Sequence, residues 1–133
     1  MKKLLLILLC LPMINGCGQI KVDRTDSKST AKAILIAYKA KDLKSLSNLS
    51  HSYNVEIFDE IIEQGQQHPR YSSLFNGGRW NVVNNWDGYS LEIIEENEKE
   101  SSSVKFGESK YENYIVSLIW KHEEWCFEDI HSN

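Results

Sequence analysis

The chain has 133 residues, with 15 Lys and Arg against 19 Asp and Glu, so its formal net charge is −4. This length suits one ordinary domain, and a hydrophobic fraction of 41% is enough to build a core. Binding to nucleic acid requires a basic face that neutralises phosphates, so the acidic balance argues against a nucleic-acid partner.

The first sixteen residues have the layout of a secretory signal peptide. Lys2 and Lys3 give a positive start, an apolar run follows over residues 4–14, and Gly16 is the small residue before the polar chain. The apolar run is well short of the roughly 20 residues that a spanning helix needs, so a permanent transmembrane helix is the weaker interpretation. We therefore expect residues 1–16 to be a signal peptide.

The segment "INGC", residues 14–17, resembles the bacterial lipobox, in which an aliphatic residue and a small residue precede a Cys that is lipidated and becomes the first residue of the mature chain. The resemblance implies attachment to membrane lipid through acyl chains, such as palmitate, on Cys17. The alternative is an ordinary signal peptide cut near Gly16 that leaves Cys17 free. Gly18, where an Asp would resemble an inner-membrane retention signal, favours the outer membrane, facing the periplasm, in a Gram-negative host.

A mature chain starting at Cys17 would have 117 residues, and losing Lys2 and Lys3 would move its net charge from −4 to −6. Cys10 would leave with the signal and Cys17 would carry lipid, so Cys126 would have no partner for an intrachain disulfide. Residues 17–29 are polar and lack apolar periodicity, which predicts a flexible tether. The domain itself is expected over residues 30–133.

Three amphipathic helices are predicted at the start of this domain. Apolar residues recur at helical spacing after Ser29 or Thr30, either of which can cap a first helix. Asp42 can cap a second helix, whose leucines recur every three residues. A third is expected over residues 55–64, with an apolar face, an acidic face and a terminating Gly65.

After Pro69 the apolar period shortens to about two, which predicts strands. The clearest pattern is "YENYIVSLIW", residues 111–120, and "EEWCFEDI", residues 123–130, is expected to pair back on it. Weaker strand patterns cover residues 80–86, 89–96 and 102–106. "FNGGRW" reads as a turn before a strand, and "ENEKESSS" as a long charged connection.

Helices followed by antiparallel strands predict an α+β fold with the helices on one face of a curved sheet. The order of elements resembles the nuclear transport factor 2-like superfamily of cone-shaped domains. This order runs from the helix ending "AYKAKD", through "LKSLSNLS", to the final "YIVSLIWKHEEWCFEDI". The likeness covers roughly residues 30–131 and implies a pocket between sheet and helices. A cystatin-like helix-on-sheet fold is the alternative.

Aromatic residues are the candidate material for such a pocket, since their rings supply contact area and polar tips for a flat or apolar ligand. The candidate pocket residues are Trp80, Trp86, Tyr89, Tyr114, Trp120 and His122. Plain core packing is the competing interpretation, because a curved sheet needs large side chains to fill its concave face. His122 with Asp87 or Asp129 could also form a general base, as in enzymes of the superfamily, but no spacing ties these residues together.

The sequence offers no metal or cofactor motif. His51, His68 and His131 are scattered among polar segments without the close ligand pairs of zinc sites, and no Gly-rich phosphate loop occurs. Strand alternation would place Cys126 beside Glu128, which would discourage a thiolate, so Cys126 is expected to be a small, half-buried side chain. We expect no cofactor and no enzymatic activity.

The last feature of the sequence is an acidic segment in which Lys99 is the only cation among the glutamates. This acidic lobe is defined by Glu92, Glu95, Glu96, Glu98 and Glu100. It could attract a cationic protein by long-range electrostatics, or simply keep a solvated loop soluble. The leading hypothesis is a non-enzymatic, lipid-anchored envelope protein that binds a small ligand or a protein partner. The rivals are an immunity or inhibitor lipoprotein that neutralises a cationic toxin or cell-wall hydrolase through the acidic lobe, and a pocket enzyme that uses His122.

Overall fold

A computed structural model describes residues 22–133. The signal peptide, the lipobox and Cys17 lie outside these residues. Within them the helices are α1 Ser27–Lys39, α2 Leu43–Asn48, α3 Tyr53–Gln64, α4 Tyr71–Phe75 and α5 Gly78–Asn84, with a 3₁₀ turn at Gly65–Gln67. The strands are β1 Glu92–Asn97, β2 Ser101–Glu108, β3 Asn113–Lys121 and β4 Glu124–Ser132. None of the helices in this part of the chain is long and apolar enough to cross a bilayer.

The strands form one antiparallel sheet in the order β1-β2-β3-β4, with the helices packed against it, so the predicted α+β class is confirmed. Each strand pair contains a register shift, located at residues 93–95, 105–107 and 117–118. Such bulges increase the local twist and bend the strands, which curves the sheet.

The core lies between α1 and one face of the sheet. Tyr38 is fully buried at its centre, with its ring 5.2 Å from that of Phe75 and 6.4 Å from that of Phe127. Phe58 of α3 stacks on Phe127, with ring centroids 6.2 Å apart. Burial raises the pKa of Tyr38 to about 12, so the phenol stays neutral and donates its hydrogen bond to the Leu74 carbonyl.

The folded domain begins earlier than residue 30. Asp26, and not Ser29 or Thr30, is the N-cap of α1, since its side chain accepts a hydrogen bond from the Ser29 amide. Arg24 also belongs to the domain, because its carbonyl accepts from the Trp125 amide at 2.8 Å and its Nε donates to the Trp125 carbonyl at 2.8 Å. The end of the predicted tether is therefore bound along β4.

The prediction of a strand over residues 80–86 is wrong, because this segment forms most of helix α5. Gly78 is the first residue of that helix and not part of a turn before a strand. The apolar run is short enough to fit either the helical or the strand period. Packing selects the helical one, in which Val83 is fully buried. Helix α4 occurs in a segment where no helix was expected.

Two further predictions about the strands are corrected. The "ENEKESSS" segment is not a long connection, since β1 and β2 extend into it and leave only a three-residue turn over residues 98–100. Cys126 was expected to be half-buried beside Glu128, but Glu128 falls at the register shift opposite residues 117–118 and has no partner residue in β3. Cys126 is buried, and Glu128 is exposed.

Candidate functional site

An open cleft of about 660 Å³ lies between the end of α5 and the end of the sheet where β1 and β3 begin and β2 ends. Val82 and Trp86 line it from the helical side, followed by the loop that leads into β1. Phe106 of β2 and Tyr114 of β3 line it from the sheet. The cleft thus has aromatic walls contributed by both layers of the fold.

Hydrogen bonds and close packing fix the aromatic walls. Trp86 is 5% exposed, and its indole Nε1 donates to the Ser90 carbonyl at 2.9 Å. The Tyr114 and Phe106 ring centroids are 6.3 Å apart. A Cβ atom at Gly107 would come within 3.3 Å of Tyr114 Cδ2, so the tyrosine ring packs directly over the β2 backbone. These contacts preorganise the apolar surface of the cleft.

Three carboxylates and one ammonium group line the same cleft. Lys105 Nζ lies 3.2 Å from a Glu92 carboxylate oxygen and 3.5 Å from a Glu108 carboxylate oxygen. The hydrogen bond to Glu92 is the main cause of a raised Lys105 pKa, so the amine stays protonated. Asp87 is the third carboxylate. Counting these four side chains, the formal charge of the cleft is −2.

Asp87 organises the loop between α5 and β1. Its carboxylate accepts hydrogen bonds from the Tyr89 amide at 2.9 Å and the Ser90 amide at 2.7 Å, and also from the Ser90 hydroxyl. These bonds, led by the one from the Ser90 hydroxyl, hold the Asp87 pKa below its usual range. Asp87 therefore remains charged at neutral pH and shapes one rim of the cleft.

Of the six aromatic and histidine candidates, the structure brings Trp86 and Tyr114 together in the cleft. Tyr89 belongs to the adjoining loop but is 76% exposed. Trp80 lies at the start of α5, where Lys41 Nζ sits 4.6 Å from its ring centroid. Trp120 packs edge-on against Trp125, with centroids 5.1 Å apart, near the far end of β3.

His122 is also remote from the cleft. It lies in the turn after β3, eight residues beyond Tyr114, which corresponds to about 25 Å along an extended strand. Neither proposed partner approaches it, since Asp87 is bound within its own loop and Asp129 pairs with Arg79 at 3.5 Å. The geometry does not assemble the His122–carboxylate base that the sequence suggested.

The other histidines are placed by the fold in ways that the sequence did not reveal. His68 is buried, with Nε2 3.0 Å from a Glu60 carboxylate oxygen and Nδ1 accepting from the Arg70 amide. His131 lies in β4, and its Nε2 is 2.7 Å from the Ser117 hydroxyl. Across residues 22–133 no group of three or more His, Cys, Asp or Glu side chains could enclose a metal ion.

A Ser–His hydrogen bond such as that of Ser117 and His131 is one part of a nucleophilic site, which also needs an orienting group and oxyanion donors. The nearest carboxylate in the β4 sequence, Asp129, is engaged by Arg79. We therefore interpret Ser117–His131 as a cross-strand structural bond.

The acidic lobe is an exposed edge of the sheet. All six residues of β1 are exposed, and no other strand of the described chain pairs with its outer edge. Glu92 is paired with Lys105, and Glu96 accepts a hydrogen bond from the buried Ser102 hydroxyl at 3.0 Å. Glu95, Glu98 and Glu100 form no ion pair within residues 22–133.

Cleft and lobe are therefore neighbouring features that share Glu92. The sequence indicated two of the aromatic residues and the acidic segment, but not Phe106, Lys105 or Glu108. The one available signal for Lys105 and Phe106 was their place in the strand predicted over residues 102–106, and Glu108 lay beyond that prediction. Comparisons with family models, curated proteins and solved structures find no significant match for this chain.

Proposed function

We propose that the protein is a non-enzymatic, lipid-anchored component of a bacterial cell envelope that binds a small amphipathic cation in the cleft beside Trp86. Anchoring rests on the lipobox-like segment at residues 14–17 and on the polar stretch that joins it to the domain. Two or more acyl chains hold a protein stably at a bilayer, so a lipidated Cys17 would keep the cleft near the membrane surface.

The observation that carries the binding proposal is the combination of aromatic walls and excess negative charge in one cleft. Tyr114 is half-buried, whereas Trp86 and Phe106 expose only 5% and 3% of their surface, so Tyr114 supplies most of the aromatic surface that favours a flat hydrophobic group. Lys105 offsets one carboxylate, and two negative charges remain. A ligand with an aromatic body and one positive group can therefore pack against the rings and also offset the remaining charge.

The cone-shaped, nuclear transport factor 2-like fold is part of this proposal. It is supported by the helices gathered on one face of the sheet and by the bulges that curve the strands. The position of the cleft, between a helix and the end of the sheet, suits a fold that binds ligands between its two layers. A pocket enzyme that uses His122 gains no support from the geometry, because His122 lies outside the cleft.

The test is a pair of probes that differ in charge but share an aromatic group. We expect the purified full chain, in detergent, to bind naphthylmethylammonium and to reject naphthylacetate, with a change in tryptophan fluorescence on binding. Glu108→Gln should weaken binding of the cation about two- to fivefold, since a solvent-exposed ion pair contributes at most about 1 kcal/mol. Glu98→Gln, in the β1–β2 turn outside the cleft, is the matched control. Equal binding of both probes, or binding of neither, would refute the proposal.

An inhibitor or immunity protein is the second candidate, and the exposure of the β1 edge favours it. An unpaired edge strand can accept a strand from a partner, and Glu95, Glu98 and Glu100 would select a basic one. We expect reversal of these three charges to lysine to abolish binding to a basic cell-wall hydrolase, with lysozyme as the probe. Unchanged binding would exclude this use of the acidic lobe.

Lipidation has its own test, which does not depend on the ligand. Replacing Cys17 with Ser should abolish incorporation of labelled palmitate and leave an uncleaved or soluble form. Incorporation that persists in the Cys17→Ser protein would show that the lipobox assignment is wrong.

A further inference from the structure

Two histidines far apart in the sequence have neighbouring rings in the fold. His51 lies in the loop between α2 and α3, and His122 lies in the turn between β3 and β4. Their ring centroids are 5.5 Å apart, with an angle of 47° between the ring planes. His51 is partly exposed and His122 is exposed, so solvent and solutes can reach both rings.

The backbone on both sides of this pair is fixed by hydrogen bonds and turn geometry. The loop that carries His51 is bound to β4, since the Leu49 carbonyl accepts from the Phe127 amide at 2.8 Å and the Asn54 side chain donates to the Glu128 carbonyl at 2.8 Å. On the other side, His122 and Glu123 both have positive φ, which is typical of a tight two-residue hairpin turn. The two imidazoles are thus held near each other by the fold.

A hydroxyl group also orients one of the rings. The Ser52 hydroxyl lies 2.7 Å from His51 Nδ1 and 3.4 Å from His51 Nε2, so its nearer contact is with Nδ1 and Nε2 is the less engaged nitrogen of that ring. Histidines that bind metals are usually oriented in this way, by a hydrogen bond to the nitrogen that does not contact the metal.

The spacing of the rings suits a shared metal ion. With a metal–nitrogen distance of 2.0–2.1 Å, an imidazole centroid lies about 3.2 Å from the ion, so two ligands at a tetrahedral angle have centroids about 5 Å apart. The observed separation of 5.5 Å is within about half an ångström of this value. Imidazole is a preferred ligand of zinc and copper and a poor one for magnesium or calcium, which select oxygen.

We propose that His51 and His122 form a two-histidine site for a divalent transition-metal ion of the zinc or copper class, independent of the ligand cleft. No larger group of potential ligands surrounds the pair within residues 22–133, so water completes the coordination shell and the ion exchanges readily. Binding would also link the β3–β4 turn to the α2–α3 loop and thereby stabilise the folded state.

The experiment uses the full chain in detergent, without a histidine tag, and titrates it with Zn²⁺ by calorimetry. We expect one zinc ion per chain, with affinity reduced at least tenfold in both His51→Gln and His122→Gln. His131→Gln is the matched control and should bind zinc as the unaltered chain does. Unfolding curves recorded without zinc identify a variant that has lost its fold, and such a variant is replaced by the Asn substitution at the same position.

A second measurement identifies the ligand atoms without any substitution. In protein labelled with ¹⁵N-histidine, zinc should shift the ring nitrogens of His51 and His122 and leave those of His68 and His131 in place. Zinc binding that survives loss of either His51 or His122, shifts confined to one ring or to other histidines, or no binding at all would overturn the proposal.

Discussion

Arg24 is the residue that fastens the start of the domain to the sheet, and its removal gives a quantitative test of where the domain begins. Its guanidinium donates to the Trp125 carbonyl at 2.8 Å and to the Asn48 carbonyl at 3.3 Å, and it lies 3.5 Å from a Glu124 carboxylate oxygen. The Arg24 side chain is 18% exposed, so these contacts are partly shielded from water.

The magnitude follows from these contacts. A partly buried hydrogen bond from a charged donor, such as that to Trp125, contributes about 1.5–3 kcal/mol. The ion pair with Glu124 adds less than about 1 kcal/mol, because that carboxylate is 41% exposed. Arg24→Ala should therefore reduce the free energy of unfolding by about 2–3 kcal/mol. Arg24→Lys should recover less than half of the loss, since an ammonium group cannot reach several carbonyls as a planar guanidinium does.

The assay is equilibrium unfolding in urea, followed by tryptophan fluorescence. With a denaturant slope of about 1.5 kcal/mol/M, the midpoint should fall by about 1.3–2 M in Arg24→Ala. Lys28→Ala is the matched control, because Lys28 is an exposed cation four residues away. If the two variants unfold within about 0.5 kcal/mol of each other, the Arg24 side chain does not anchor the segment.

Two further predictions concern ionisation. Because hydrogen bonds from Ser90 keep the Asp87 pKa below 3.8, Asp87 contributes stability that is present above pH 3.8 and is lost as the pH falls through its native pKa. Ser90→Ala should raise the Asp87 pKa toward 3.8 in a side-chain carboxyl NMR titration, and an unchanged value would show that the hydroxyl is not the cause. Burial raises the pKa of the Cys126 thiol and outweighs the opposing effect of Arg24. Cys126 should therefore react with a disulfide reagent at pH 8 far more slowly in the native protein than in urea. Equal rates in the two conditions would contradict its burial.

The sequence by itself determined the elements that carry a long, regular apolar period. The predicted helices of the first half correspond to α1, α2 and α3, and the alternating segments over residues 102–106, 111–120 and 123–130 correspond to β2, β3 and β4, because periodic burial on one face is a local property of the chain. The weaker pattern over residues 89–96 overlaps β1, all of whose residues are exposed. It also determined the acidic character of β1, since charge depends on composition alone. The lipid anchor and the ligand remain predictions of the sequence.

The tertiary structure decided whatever depends on contacts between distant residues. Residues 80–84 became part of a helix because their short apolar run fits both the helical and the strand period, and packing selected the helical one. The register shift in β4 left Glu128 without a partner residue in β3, and bulges are not encoded by alternation. The cleft joins Trp86 to Tyr114, and the histidine pair joins residues 51 and 122, because the register of the strands and the path of the loops are settled only when the whole core packs.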